Sequence, residues 1–466
     1  MPQEIIKAPG QFDCLKSPSV LALETLQYTP FHLFALLLLI GAILHTLFIH
    51  KIYALAKRIE AREKRGEVRS IRVQTLYFLS EVEIVFAIWV IPLFFAMAVT
   101  FGWQTAIEYI DTRDYTEALF IVIILSLATT RPIVHISQIL IQSIARLFGN
   151  TLSAWWFVLL TVGPLLGSFI TEPGAMAITA LLLSKKFFQF RPSSKLAYAT
   201  LALLFTNVSV GGVLTNFASP AVLVLSRAWN WSNWYMFAHF GGKAALGVIL
   251  ANTLYWYYFR KEFTLLNELK KIADKIPLTS HEEERSIPKY IIAIHALTMV
   301  VVVLNAHYPA IFIAAYLLFV GFHQSTRQHQ DTLKLMRPLL VGLFLAGLVI
   351  HGGLQGWWVV KALLGLRPLE VLGMTISLTG FNDNTAIAYL ATLIPNLSES
   401  AKYALVTGVI AGGGLTVIAN APNPAGFVIL SEHFQGSASS WKLFLGALVP
   451  TFIFFLIFSL IGPLFF

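Results

Sequence analysis

Two carboxylates stand where a charge is most costly. Glu172 lies within GSFITEPGAMAITALLL (167–183) and Asp383 within TGFNDNTAIAYLATLIP (379–395), each between short apolar runs. An ionised carboxylate at the centre of a bilayer costs at least ~2.5 kcal/mol, so its presence there points to function. Such a group can hold a proton or a metal ion but not both, which is the chemistry of exchange. A broken, glycine-rich stretch follows each one: NVSVGGVLTNFASP (207–220) and AGGGLTVIANAPNP (411–424). A continuous transmembrane helix satisfies its own backbone, so Gly, Pro and Asn gathered in mid-membrane are costly unless the released amides and carbonyls are used. We read each stretch as an unwound segment joining two half-helices, around Gly211-Gly212 and Gly413-Gly414, with termini and free carbonyls aimed at an ion. Thr215, Asn216, Ser219, Thr416, Asn420 and Asn423 add hard oxygens suited to Na+ or another alkali cation. Close helix packing is the plainer explanation of the glycines, though it leaves the prolines and asparagines of both copies unexplained.

These residues need elements to hold them. The segments flanking each carboxylate are too short for two full spans, so a re-entrant hairpin with the carboxylate at its tip is predicted near 151–190 and again near 370–396. Composition fits this placement. The chain has 466 residues, 57% hydrophobic and only 12% charged, against roughly 25% charged in a typical soluble domain. A water-facing surface cannot be built from so few charges, and one cysteine (Cys14) excludes a disulfide scaffold. The expected class is an all-α polytopic membrane protein in contact with the lipid bilayer. Its net charge of +9 sits in loops, as orientation signals do, rather than on a basic face for nucleic acid. Residues 1–29 form an N-terminal extension without the pattern of a cleaved signal peptide.

Charge placement gives a topology. Residues 51–72 carry eight basic and three acidic residues, whereas 103–117 carries Glu108, Asp111, Asp114 and Glu117 against Arg113 alone. The positive-inside rule makes the first loop cytoplasmic and the second external. The stretches 185–195, 260–289 and 324–337 read as cytoplasmic, and the loop with Trp229, Trp231 and Trp234 as external. The linker 260–287 separates two similar halves, 30–259 and 288–466. Gly212-Val213-Leu214-Thr215 lies over Gly413-Gly414-Leu415-Thr416, and Ala218 over Ala419. Three scaffold spans precede the hairpin in each half (30–50, 78–102 and 118–131; 288–305, 309–323 and 338–352). A broken helix follows each hairpin (196–230 and 401–434), and 441–464 is a last span. Counting crossings leaves the chain inside before the first carboxylate and outside before the second. The repeats therefore have inverted topology, the pattern of secondary transporters with a midplane site.

Other charges carry less. Lys243, inside the span 235–259, could counter a carboxylate or snorkel to the surface. Glu81 and Glu83 lie near the start of the second span. Arg131-Pro132 begins an amphipathic, interfacial stretch (132–148). His45, His135, His295 and His351 are scattered, HEEER (281–285) is a loop charge run, and neither an HExxH site nor a Walker loop is present. No cofactor is expected.

SFITEP (168–173), GGVLTNFASP (211–220), NDNTA (382–386) and GGLTVIANAPNP (413–424), in this order behind scaffold spans, resemble the ion transporter superfamily. Within it the chain is most similar to bacterial sodium/proton antiporters, and less so to arsenite and dicarboxylate carriers. The resemblance covers about 30–466. It implies a homodimer in the bacterial inner membrane, with hairpin units moving between inward and outward states. By position, Asp383-Asn384 match the family's second tip, whereas the first tip reads Glu172-Pro173 in place of Asp-Asn.

Proton-coupled cation exchange is the leading expectation. Asp383 and Glu172 alternately bind H+ and Na+, and Asn382, Asn384, Thr215, Asn216, Thr416 and Asn420 complete the shell. Sodium-coupled carriage of a dicarboxylate or oxyanion needs neutral donors at the tips, against which two carboxylates count. A polytopic membrane enzyme could use them as acid and base, yet gives no reason for an inverted repeat. A passive channel fits poorly with hairpins that end mid-membrane.

Overall fold

The computed structural model describes residues 30–62, 70–81, 84–273, 287–306, 308–355, 357–358, 366–434 and 439–462. The N-terminal extension with Cys14, Glu83, part of the first basic loop, the HEEER run and the end of the last span lie outside the described residues. All regular structure within them is helical. The chain is an all-α polytopic membrane protein. By length and composition, three helices among the described residues suffice to cross a membrane, Leu152–Ile170, Ser194–Leu214 and Ser440–Ile461, or five if each of two bent pairs is one span. The first of these corrects the expectation that both flanks of Glu172 are too short for a span.

The chain divides into two compact units. The first (1–118, 342–364 and 393–395) holds α1 (Pro30–Glu60), α2 (Ile71–Leu79), α3 (Val85–Phe101) and α4 (Trp103–Asp111). Phe31, Leu38, Leu93, Met97 and Tyr109 form its core with Ile350 and Leu354. The Tyr109 hydroxyl donates to the Ile350 carbonyl at 2.7 Å. His45 joins three helices: its Nδ1 accepts from Trp89 Nε1 at 3.2 Å, which leaves Nε2 to donate to the Leu79 carbonyl at 2.8 Å. Helix α4 occupies most of what reads in sequence as an external loop. Its buried Ala106 and Tyr109 make one apolar face, and nine residues are too few to register as a span.

The second unit (119–341, 365–392 and 396–466) contains both hairpins. Helix α5 (Thr116–Ala128) bends by 64° into the amphipathic α6 (Arg131–Leu147). The first hairpin is α7 (Leu152–Ile170) and α8 (Glu172–Lys186), and the first broken helix is α9 (Ser194–Gly211) and α10 (Pro220–Ala228). Then come α11 (Gly242–Tyr258), α12 (Arg260–Ala273), α13 (Lys289–Leu304), α14 (Pro309–Ser325) and α15 (Met336–Gly352), the last running on into the residues of the first unit. The second hairpin is α16 (Pro368–Phe381) and α17 (Asn384–Thr392), followed by the broken helix α18 (Glu399–Gly412) and α19 (Asn423–Ser431), and by α20 (Ser440–Ile461).

Helix α9 is buried almost all round, as an apolar helix without a polar stripe must be. Helices α7 and α20 pack against it, and both contain a proline that frees the carbonyl four residues earlier. In α7, Pro164 releases the Leu160 carbonyl, which accepts at 2.9 Å from both Asn207 and Asn252. In α20, Pro450 releases the Gly446 carbonyl, which accepts from the Tyr255 hydroxyl at 2.7 Å. Side chains of neighbouring helices thus replace the lost bonds and tie the bundle together.

The linker expected over 260–287 begins as the amphipathic helix α12. It buries Phe263 and Leu266 and braces two helix starts. Glu262 accepts from the backbone and hydroxyl of Ser193, the N-cap of α9, at 2.7 and 2.9 Å. Asn267 accepts from the Ser153 backbone, in the first turn of α7, at 3.0 Å.

Candidate functional site

Each hairpin is bound to its broken helix through the same register of contacts. The Thr215 hydroxyl donates to the Ser168 carbonyl at 2.6 Å, and the Thr416 hydroxyl to the Gly380 carbonyl at 3.0 Å. The Glu172 backbone donates to Ala218 and the Asn384 backbone to Ala419, both at 3.0 Å. The glycine pairs admit this approach. A Cβ on Gly211 would lie 2.4 Å from the Pro164 carbonyl oxygen, and one on Gly412 would lie 2.8 Å from that of Ile376. A Cβ on Gly212 would meet Glu172 Oε1 at 2.6 Å, and one on Gly413 the Asn384 amide nitrogen at 3.1 Å.

This register corrects the sequence pairing by one residue. Aligning the tips by their carboxylates sets Glu172 against Asp383. The hydrogen bonds set Glu172 against Asn384, and Thr171 against Asp383. The two tips are built differently in consequence. Asp383 precedes α17, and its Oδ1 accepts from the Thr385 backbone at 2.8 Å, as an N-cap carboxylate does. Asn382 Oδ1 in turn accepts from the Asp383 backbone at 2.9 Å. At the first tip Thr171 holds φ +67° and ψ 154°, a region all but reserved for glycine and strained for a β-branched residue. Sequence reading passed over Thr171, since no local pattern announces such a φ.

Glu172 is fully buried. Its Oε2 accepts from Asn420 Nδ2 at 3.1 Å. Glu172 Oε1, Ser219 Oγ, Asn420 Oδ1, Thr171 Oγ1 and Asn384 Nδ2 make no hydrogen bond among the described residues. Nor does any lysine or arginine there pair with Glu172. Each hairpin also meets the other hairpin's broken helix: α8 packs against α19, and α17 against α10. Hence Asn420, which starts the approach to α19, reaches the tip of the first hairpin.

The remaining expected residues divide clearly. Thr215 and Thr416 clasp hairpin to broken helix. Asn423 donates to the Gly413 and Thr416 carbonyls at 2.8 and 2.9 Å, satisfying backbone that the unwound stretch releases. Asn216 is turned towards the following loop: its amide donates to the Trp231 carbonyl and its backbone to Asn233 Oδ1, both at 2.9 Å. Lys243 donates to the His239 carbonyl at 2.7 Å and lies 4.6 Å from the centre of the Tyr403 ring, its charge held by that ring face. The structure therefore brings Asn420 onto Glu172, sets Asn384 beside Gly413, caps α17 with Asp383, and directs Asn216 and Lys243 elsewhere. Ser168 is an addition. Its hydroxyl donates to the Gly211 carbonyl at 2.6 Å and accepts from the Leu214 backbone at 3.0 Å, closing both sides of the break.

Residues 30–461 match the family model described as "Putative Na+/H+ antiporter". No curated protein matches the chain.

Proposed function

We propose that this chain, which belongs to the Na+/H+ antiporter family, exchanges Na+ for protons by alternating access, with Glu172 holding one or the other. The observation that carries this reading is the setting of Glu172: a fully buried carboxylate with one oxygen on an amide, the other without a hydrogen bond, and no basic partner among the described residues. A buried charge left unpaired is strongly unfavourable. The carboxylate is at ease in two states, protonated or bound to a cation. Mutual exclusion of the two is the coupling.

In the cation-bound state, the oxygens of Glu172, Asn420, Ser219 and Thr171 supply donors of the hard type that replaces the hydration of an alkali ion. Asp383 contributes a second negative charge to the site while capping α17, and Asn382 holds its backbone. Asn384 fills the place of Glu172 in the second copy and offers a neutral amide. Gly211, Gly212, Gly413 and Gly414 allow the close approach, and Thr215 and Thr416 keep each tip with its broken helix as the unit moves. The resemblance to transporters of inverted-repeat architecture supports a moving unit of hairpins and broken helices, and a homodimer in the bacterial inner membrane. The work done is transport; no bond-making step falls to the carboxylates.

Reconstitution into proteoliposomes with an imposed Na+ gradient and a pH-sensitive dye tests this function. Wild type is expected to move protons when Na+ or Li+ is added, and Glu172→Gln to remain silent. A wild type that moves no protons with Na+, Li+ or K+, yet accumulates a labelled dicarboxylate, contradicts the proposal.

A further inference from the structure

The surface of the second unit carries a groove of about 880 Å³ between α9, α11 and α20. Its apolar wall includes Leu254, Leu445 and Val449, which are 48%, 48% and 44% exposed. Those side chains belong to helices rich in outward-facing Leu, Val and Phe, the surface that meets acyl chains in a membrane protein. The bond from the Tyr255 hydroxyl to the Gly446 carbonyl, which Pro450 leaves open, fixes the spacing of α11 and α20 across the groove. Gly446 lets α20 approach α9 closely, because a Cβ there would stand 3.2 Å from that of Ala202.

One end of the groove is basic. Lys195 and Lys442 line it, both exposed, and neither pairs with a carboxylate among the described residues. Lys442 Nζ lies 5.5 Å from the centre of the Tyr198 ring, a weak cation–π contact that leaves its donors available. Arg260 and Lys261 follow directly on the α11 wall. This is the end that the positive-inside rule assigns to the cytoplasm, and basic pockets between spans at that level suit anionic headgroups.

We infer that this groove binds an anionic phospholipid, its phosphate on Lys195 and Lys442 and an acyl chain along Leu254, Leu445 and Val449. Charge complementarity selects the headgroup. A zwitterionic lipid brings its own ammonium beside the two lysines, whereas phosphatidylglycerol leaves its negative charge uncompensated. A free phosphate makes no use of the apolar wall. With each lysine contributing about a fivefold gain near an anionic lipid, phosphatidylglycerol should bind at least roughly tenfold more tightly than phosphatidylcholine.

The test titrates the full chain, purified in detergent, with short-chain phosphatidylglycerol, phosphatidylcholine and inorganic phosphate. The expected result is a preference of that size for phosphatidylglycerol, unaffected by inorganic phosphate. The pair Lys195→Gln and Lys442→Gln should bring the two lipids level, Lys195→Arg with Lys442→Arg should keep the preference, and Val449→Trp should weaken both lipids. Equal binding of the two lipids by the wild type overturns the inference, and needs no variant to fold. So does a preference that survives the glutamine pair, or displacement of phosphatidylglycerol by inorganic phosphate.

Discussion

Asn420 donates a 3.1 Å hydrogen bond to the carboxylate of Glu172, joining the second broken helix to the tip of the first hairpin. The bond brings residues far apart in sequence to one buried carboxylate. Anything that moves α19 relative to α8 changes the surroundings of the carboxylate; under the proposed function, that ties ion occupancy to the packing of the two helices.

Removing the amide should therefore weaken cation binding more than it weakens the fold. A hydrogen bond to a charged group contributes about 1.5–3 kcal/mol, or roughly a 10- to 100-fold change in affinity. Asn420→Ala is expected to raise the Na+ concentration needed for half-maximal proton movement by at least about tenfold. An unchanged value would show that Asn420 only fills space.

Asp383 has a capping role that asparagine can also fill. Asp383→Asn should keep the thermal stability of the wild type, whereas Asp383→Ala should lose about 1 kcal/mol, the usual loss at an N-cap. Exchange should persist in Asp383→Asn with weaker Na+ dependence, since one negative charge leaves the site, while Glu172→Gln has none. Complete loss in Asp383→Asn with normal exchange in Glu172→Gln would reverse the assignment.

The glycines should separate function from folding. A methyl on Gly212 meets the Glu172 side chain itself, whereas one on Gly414 falls 2.3 Å from Thr206 Cα, where only backbone can give way. Gly212→Ala is expected to fold and lose exchange. Gly414→Ala should lose stability, by at least the 1–3 kcal/mol typical of overpacking, and show as poor yield of monodisperse protein.

Glu262 and Asn267 should behave in the opposite sense. Each braces a helix start from α12, so Glu262→Ala is expected to lower stability by about 1 kcal/mol and leave the Na+ dependence of transport unchanged. A shift in apparent Na+ affinity would place α12 in the transport cycle.

The breaks between helices were legible because glycine, proline, asparagine and charge are expensive inside a membrane. Their clustering marks the breaks directly. The length of Leu152–Ile170, enough to cross a membrane, was not anticipated from the flanks of Glu172. The register of the tips was not legible: a carboxylate is the most visible residue in each tip, but the backbone bonds to Ala218 and Ala419 set the alignment, and these have no signature in side-chain type. The two faces of Asn216 and Lys243 were hidden for a related reason. Both residue types suit an ion shell, and only the positions of Trp231, Asn233, His239 and Tyr403 show that their polar groups are already taken. The proline rule did point to freed carbonyls at Leu160 and Gly446, though not to Asn207, Asn252 and Tyr255 as their donors.

Calorimetric titration of the purified chain with Na+, in two buffers of different ionisation enthalpy, counts the protons released per ion bound. If Glu172 holds either H+ or Na+, the wild type releases protons on binding Na+, and its affinity falls as pH is lowered because protons occupy the same carboxylate. Glu172→Gln should show neither effect. Sodium binding without proton release in the wild type, or the same release in Glu172→Gln, would contradict the account.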